Sequence, residues 1–147
     1  MKKIINRKAY FDFRILETLE AGILLTGPEV KSIKSGRLKL DGAHVRIINS
    51  EAYLVNADIP LYESAHVESY DADRTRKLLL RKKQLISLDT KLRQKKLTIV
   101  PISCYTTRNL IKIEIGLGQR KKSTDKREEI KKRDLAREIE RTFTNRG

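Results

Sequence analysis

The 147-residue sequence predicts a mainly β fold, a small closed or nearly closed barrel with two short helices and a basic C-terminal tail. About six short segments before residue 118 have strand-like hydrophobic patterns, and two other stretches have helical spacing. After Gly118 the composition changes, and 17 of the last 29 residues are charged. We therefore expect a barrel domain over residues 1–118 and a tail over residues 119–147.

The first two strands are expected early in the chain. Phe11, Phe13 and Ile15 fall on one face of an extended chain, with charged residues between them. The apolar run over residues 21–26 indicates a second strand, with a bend or bulge at Gly22.

A helix and a hairpin are expected next. Thr26 and Glu29 have the spacing of a capping box. Pro28 suits the first helical turn, and Gly36 is expected to end the helix. Alternating apolar residues over 43–59, with turn residues in the middle, predict a β-hairpin.

The second half of the chain is expected to contain a basic helix and two more strands. Leu85, Leu88 and Leu92 recur on one face of a helix. Pro101 within an apolar strand marks an edge position or a bulge. The elements expected here are a loop over 63–76, the helix, a strand over 97–105, a turn at 108–109 and a strand over 111–117.

The positive charge is concentrated in part of the chain. The sequence holds 33 Lys and Arg against 19 Asp and Glu, a net charge of +14. Residues 74–96 carry 10 basic and one acidic side chain, whereas residues 1–73 carry 10 basic and 11 acidic. A basic region of this kind binds phosphates and releases their counterions. Nucleic acid is therefore the expected partner, ahead of an anionic membrane surface.

The composition excludes several other classes of protein. One Cys prevents an intrachain disulfide, and one Cys with two His cannot supply a four-ligand zinc site. No apolar run approaches the roughly 20 residues of a membrane-spanning helix. The basic N-terminus lacks the apolar stretch of a signal peptide. We expect a cytoplasmic protein that has no membrane partner and holds no metal or cofactor.

No catalytic group is predicted with convincing spacing, so the protein is expected not to be an enzyme. Cys104 lies in an apolar strand, which favours a buried structural thiol. His44 on a strand's outward face and His66 in a loop are interpreted as unrelated surface histidines. The acidic loop over residues 68–73 leaves a magnesium-dependent nuclease as an alternative hypothesis, although an acidic loop facing a basic helix is the simpler interpretation.

The few aromatic residues affect the kind of RNA that is expected. Five Tyr and three Phe are scattered along the chain, which does not favour stacking of single-stranded bases. We expect recognition of a structured RNA by its shape and backbone. A constitutive ribosomal or RNA-packaging protein with a basic arm is the second hypothesis.

The tail combines many charges with a thin apolar stripe. Leu135, Ile139 and Phe143 are spaced for one helical face, but their area is too small for firm docking. We expect a tail that is mobile alone and helical when held, roughly 28 Å long if the helix runs over residues 125–143.

Several sequence blocks, in one order, resemble the small protein B (SmpB) family, the SsrA-binding proteins of bacteria. The blocks are NRKAYFDF (6–13), ETLEAGI (17–23), GPEVKSI (27–33), RTRKLLL (74–80), LTIVP (97–101), GL (116–117) and KKSTDKR (121–127). The resemblance extends from about residue 6 to residue 140, and the combination of blocks is far more specific than any one of them.

The resemblance implies a fold and a function. The implied fold is a six-stranded antiparallel Greek-key barrel with partial OB-fold likeness, two or three short helices, and a tail that is disordered or helical. The implied function is to bind the tRNA-like domain of transfer-messenger RNA (tmRNA, SsrA) and deliver it to stalled ribosomes in trans-translation. The tail then enters the empty mRNA channel near the decoding centre as a helix. Elongation factor Tu takes part indirectly through the RNA, and a monomer is expected.

Charge and resemblance together indicate the binding residues. The residues expected to bind RNA are Glu20, Arg76, Lys77, Leu79, Arg81, Lys82, Lys83 and Lys112. The tail residues expected to bind the ribosome are Lys121, Lys122, Asp125, Lys126 and Arg127. For Leu79 a place in the core is the alternative, and for Glu20 a role in orienting a basic neighbour or capping a strand.

Two positions depart from the pattern of the family. Arg120 stands where the family usually has Gly, so a stiffer hinge is expected before the tail. Thr124 stands where His or Tyr is common, which removes an aromatic ring that could stack on ribosomal RNA.

Overall fold

The computed structural model describes residues 1–62, 65 and 67–145. Strands form most of the structure before residue 121, and a long helix follows them. In chain order the elements are β1 (Ile4–Ile5), α1 (Arg7–Asp12), β2 (Phe13–Ile23), α2 (Gly27–Lys34), β3 (His44–Ile48), β4 (Glu51–Val55), β5 (Arg76–Leu79), α3 (Lys82–Gln94), β6 (Thr98–Thr107), β7 (Leu110–Arg120) and α4 (Ser123–Asn145).

Six antiparallel strands are paired in a closed ring. The order around the ring is β6, β3, β4, β5, β2 and β7, and β7 pairs with β6 again. The short β1 pairs with β6 outside this ring. Strand β2 lies beside β5 rather than beside β3, which is the strand order of a Greek key. The expected mainly β class with a ring of six strands is confirmed.

Inward-facing residues of the ring form the main core. Ile113, Ile115 and Leu117 of β7 alternate inward and are almost inaccessible to solvent. Ile33 of α2 and Leu88 of α3 are buried against the same core, so both helices are held to the ring by apolar contact.

The start of the chain differs from the predicted strand. Residues 7–12 form α1, because the Asn6 side chain accepts a hydrogen bond from the Ala9 N–H and caps a helix there. Phe11 therefore belongs to a helix, and only Phe13 and Ile15 lie in a strand. The prediction of a strand through Phe11 is wrong.

Helix α1 packs on the outer face of the ring over a small second core. This core contains Ala9 and Phe13, with Val100 of β6. A Cβ at Gly116 would lie 2.4 Å from Ile102 Cδ1, and one at Gly118 would lie 3.1 Å from Phe13 Cβ. The two glycines thus leave room for the side chains of Ile102 and Phe13.

Strand β2 is one long strand and not two. It extends over Phe13–Ile23, and its register shifts between Ile15 and Glu17. Gly22 is paired regularly with both Leu79 and Lys112. The prediction of a separate second strand with a bend or bulge at Gly22 is therefore wrong, because the irregularity lies near the other end of the strand.

Both tight turns of the ring have the expected positions. Asn49 and Ser50 join β3 to β4 with φ of 50° and 62°. Arg108 and Asn109 join β6 to β7 with φ of 51° and 65°. Two central residues with positive φ match the twist of antiparallel strands. The bulge expected at Pro101 is confirmed by a register shift directly after it.

A buried ion-pair network joins α2 to the start of β5 and to Arg74 before it. Thr26 and Glu29 form the expected capping box. The Glu29 carboxylate also accepts from Arg74 Nη2 at 2.6 Å and from Arg76 Nε at 2.8 Å. Burial raises the pKa of Glu29, but the hydrogen bonds from Arg74, the Thr26 N–H and Arg76 outweigh it and lower that pKa to about 2.

The tail forms helix α4, whose first turns contact α1. Lys126 Nζ lies 2.9 Å from the Asp12 carboxylate and 5.6 Å from the centre of the Phe11 ring. Lys121 Nζ donates to the Tyr10 carbonyl at 3.0 Å. Residues 131–142 are exposed, whereas the near end of the helix contacts α1 through this ion pair, the cation–π contact and the Lys121 hydrogen bond. No helix in the described part of the chain is long and apolar enough to cross a membrane.

Candidate nucleic-acid interface

A row of four residues crosses the outer face of the ring. Leu79 of β5 is paired with Gly22 of β2, Gly22 with Lys112 of β7, and Lys112 with Tyr105 of β6. Paired residues on neighbouring strands point to the same face of a sheet. With strands about 4.8 Å apart, this cross-strand row is roughly 14 Å long.

A groove of about 890 Å³ lies along one end of the cross-strand row. The β3–β4 turn, strand β5 and the start of α3 form its walls. We call it the basic groove. It gathers six of the eight residues predicted to bind RNA, namely Glu20, Lys77, Leu79, Arg81, Lys82 and Lys112.

The cations of the basic groove differ in whether an acidic side chain of the protein pairs with them. Lys77 Nζ donates to Glu51 at 2.9 Å, and this hydrogen bond raises the pKa of Lys77. Lys112, Arg81 and Lys82 form no ion pair with another side chain in the described part of the protein. These three cations are therefore available for the phosphates of a ligand.

Leu79 and Gly22 make an apolar patch in the basic groove. The Leu79 side chain is 48% exposed, so the alternative that it belongs to the core is wrong. A Cβ at Gly22 would lie 3.2 Å from Leu79 Cβ. The missing side chain at Gly22 leaves Leu79 room to lie against the strand and to face a ligand.

Two predicted RNA-binding residues lie elsewhere. Arg76 is fully buried, and its guanidinium donates to Glu29, to the Ala57 carbonyl at 2.7 Å and to the Ala72 carbonyl at 2.9 Å. Because its donors are used inside the fold, Arg76 cannot contact RNA, and its role is structural. Lys83 is exposed on α3 but lines a neighbouring cleft with Glu17.

Glu20 has a partner that the sequence interpretation missed. The hydroxyl of Tyr105 donates to Glu20 Oε2, and Glu20 itself is exposed. The two-residue turn after β6 places Tyr105 opposite Lys112. Because both Lys112 and Glu20 were predicted to bind RNA, that register could have indicated that Tyr105 lies near Glu20. Partial burial, then the Glu20 carboxylate, raises the pKa of Tyr105 to about 12. The hydroxyl therefore keeps its proton at neutral pH.

The predicted tail residues lie at the other end of the ring. Lys122 and Arg127 are exposed, and Asp125 accepts from the Lys122 N–H at 3.3 Å at the start of α4. Lys121 and Lys126 contact α1 as described above. Along β2, the residue paired with Lys112 lies nine positions after the residue paired with Arg120, a distance of roughly 30 Å. The basic groove and the tail are thus separate surfaces.

A known protein family matches almost the whole chain. The family described as SmpB protein matches residues 3–145 of the chain. The chain belongs to the SmpB family. The SsrA-binding protein of Carboxydothermus hydrogenoformans is 49% identical, with 99% of each chain covered. The SsrA-binding protein of Enterococcus hirae is 46% identical, with 95% of this chain and 91% of the relative covered.

A solved structure resembles this SmpB family member. It is described as "tmRNA-SmpB: a journey to the center of the bacterial ribosome", and its matching chain has a TM-score of 0.70 and 42% sequence identity. The match covers 84% of this chain and 87% of that chain. The likeness therefore includes most of the strands and helices described above.

Among the described residues, those considered for catalysis lie on different elements of this SmpB family member. Cys104 is 1% exposed, and burial raises the pKa of its thiol to about 12. His44 is half-buried on β3, and His66 lies outside the described residues. In the acidic loop, Asp71 accepts from the Asp73 N–H at 3.0 Å. Among the described residues, no three His, Cys, Asp or Glu side chains form a group that could hold a metal ion.

Proposed function

We propose that this protein binds the tRNA-like domain of tmRNA and delivers it to stalled ribosomes as a non-catalytic adaptor of trans-translation. The names of its relatives, SsrA-binding proteins, support the RNA, and the tmRNA-SmpB neighbour supports the ribosome. The observation that carries the proposal is the basic groove, which collects Glu20, Leu79 and Lys112 with Arg81 and Lys82 on one open face.

Each part of the basic groove suits a structured RNA. Lys112, Arg81 and Lys82 would neutralise phosphates and set the register of the RNA. Leu79 offers an exposed apolar surface for a ribose or a base edge. None of the described residues that line the groove is aromatic, which agrees with recognition of RNA shape rather than stacking of single bases.

We also propose a separate role for the tail. Helix α4 would occupy the empty mRNA channel and contact the decoding centre through Lys121, Lys122, Asp125, Lys126 and Arg127. Its exposed, charged far end supports a contact with ribosomal RNA. This use would require the ion pair between Lys126 and Asp12 to open. The protein would act as a cytoplasmic monomer, and elongation factor Tu would join it only through the RNA.

Competition binding tests the proposed RNA. Labelled tRNA-like domain of tmRNA is bound at about 0.15 M salt and challenged with excess ordinary tRNA, because low salt inflates nonspecific binding. We expect the labelled RNA to stay bound. Displacement mole for mole would contradict the proposal and favour a structural RNA-packaging protein, and magnesium-dependent cleavage of the RNA would favour the nuclease.

Lys112→Ala is expected to weaken binding of the tRNA-like domain about tenfold, which equals ~1.4 kcal/mol. Losing one phosphate contact should also reduce the slope of log K against log salt by about 1. The measurement is a salt titration of affinity. Lys34→Ala is the matched control, because Lys34 is exposed on α2 and does not line the basic groove. Equal effects of the two variants would show that only net charge matters.

A further inference from the structure

We propose that Tyr105 is a positioning residue, which fixes Glu20 so that its carboxylate accepts a hydrogen bond from a ribose 2′-hydroxyl of the bound RNA. This inference rests on the proposed function, because it concerns the same RNA surface. It extends the basic groove along the cross-strand row from Lys112 to Tyr105, a residue that does not line the groove itself.

The strand register places Tyr105 beside the predicted RNA-binding residues. Tyr105 is paired with Lys112 across β6 and β7, and Lys112 is paired with Gly22 across β7 and β2. Glu20 lies two residues from Gly22 along β2, so it points to the same outer face. The neighbouring Cys104 points into the core. Tyr105 is therefore held on the outer face by the packing of β6.

The contact between Tyr105 and Glu20 restricts the carboxylate. The phenol donates to Glu20 Oε2, which leaves Oε1 without a described hydrogen bond. Lys3 Nζ lies 5.5 Å from the centre of the Tyr105 ring, a cation–π distance. Strand β1 keeps Lys3 near the ring, because it pairs with β6 directly before Tyr105. The Tyr105 phenol is thus held by its hydrogen bond to Glu20 and by the cation–π contact with Lys3.

The charges around Glu20 limit the kind of group from which its carboxylate can accept a hydrogen bond. Glu20 is paired with Glu114 across β2 and β7, so two carboxylates lie together on this face. Like charges placed opposite each other are unfavourable in a sheet, and they repel phosphate. A neutral hydrogen-bond donor at the same place is not repelled, because it carries no negative charge. A-form RNA displays its 2′-hydroxyls in a wide, shallow minor groove, where a protein recognises them by shape.

A double-mutant cycle tests the coupling between the two residues. We expect Tyr105→Phe to weaken binding of the tRNA-like domain about fivefold and Glu20→Gln about tenfold. The double variant should bind no more weakly than Glu20→Gln alone, because the phenol acts only through the carboxylate. Tyr70→Phe, which removes a hydroxyl that donates to the Ile59 carbonyl and does not line the basic groove, is the matched control and should bind like the wild type.

Three results would overturn the inference. Tyr105→Phe could bind like the wild type, the two substitutions could weaken binding independently, or Tyr105→Phe could lower the melting temperature and thereby show a structural role. A second arm uses RNA with 2′-fluoro groups, which keeps the A-form but removes the donor. The effect of Tyr105→Phe should disappear with that RNA, and its persistence would contradict the 2′-hydroxyl.

The wild-type protein in the same assay separates this inference from the proposed function. If the wild type does not prefer the tRNA-like domain over ordinary tRNA, the proposed function fails. If it does prefer that RNA and Tyr105→Phe binds equally well, only the role of Tyr105 fails.

Discussion

Glu29→Gln is expected to lower the free energy of unfolding by about 3–5 kcal/mol at neutral pH. The substitution keeps the shape of the side chain but removes its charge. Arg76, which is fully buried, would then carry a positive charge without its counterion. The partial match of Gln to the hydrogen bonds of Thr26 and Arg74 does not restore that charge. Chemical denaturation of both proteins measures the difference.

A matched control separates the buried pair from an ordinary ion pair. Glu17 lies 2.5 Å from Lys91, and both side chains are about two-fifths exposed. Glu17→Gln should cost only about 0.2–1 kcal/mol, because exposed pairs are screened by water and salt. Similar losses in the two variants would mean that the Glu29 network contributes no more than a surface contact.

The stability of the wild type should also depend on pH in acid. The pKa of Glu29 is about 2 in the folded protein and 4.5 ordinarily. A lowered pKa stabilises the fold above the unfolded value, and this contribution is lost as pH falls from about 4.5 towards 2. Glu29→Gln has no such group, so its stability should change less over that interval. Parallel pH titrations of the two proteins would detect this.

Short-range sequence signals predicted the tight turns of the ring and the cap of α2 well. The capping box of Thr26 and Glu29 and the turn at Arg108 depend on residues within four positions of each other. Local hydrogen bonds and backbone preferences decide such features almost independently of the rest of the chain.

The failures arose where distant contacts decide the structure. Phe11 fits a strand by alternation, but Asn6 caps a helix there, and its side chain is held in place by the distant carbonyls of Leu40 and Pro101. Gly22 suggested an irregular strand, whereas it is paired on both sides. In both cases tertiary packing overrides the local pattern. That packing depends on where β6 and β7 lie in the fold, which the local sequence does not show.

The candidate site shows the same division. Resemblance indicated Glu20, Leu79 and Lys112, and the fold brings them together in the basic groove. Counting charges also selected Arg76, because a sequence does not show that this guanidinium is buried against Glu29. Tyr105 was not predicted, although the turn after β6 fixes its register, because the apolar residues of β6 indicate only a buried strand and do not show which side chains face outward.

Removal of all residues after Lys122 is expected to abolish peptide tagging while changing affinity for the tRNA-like domain by less than twofold. Residues 123–147 carry eight basic and six acidic side chains, so their removal reduces the net charge only from +14 to +12. The basic groove keeps every residue that lines it. Tagging should fail because the proposed helix for the mRNA channel is missing. Binding and in vitro tagging assays measure the two effects.

The site of truncation matters, because β7 continues past Gly118. Arg120 and Gln119 pair with Phe13 and Arg14, and the Lys121 N–H donates to the Asp12 carbonyl at 2.8 Å. Truncation after Gly118 would cut these contacts and confuse instability with loss of the tail. In the full-length chain, charge reversal of both Lys126 and Arg127 should reproduce the loss of tagging with RNA binding intact. If truncation after Lys122 weakened both activities equally, the tail would belong to the RNA-binding surface, and the separation of the two roles would be wrong.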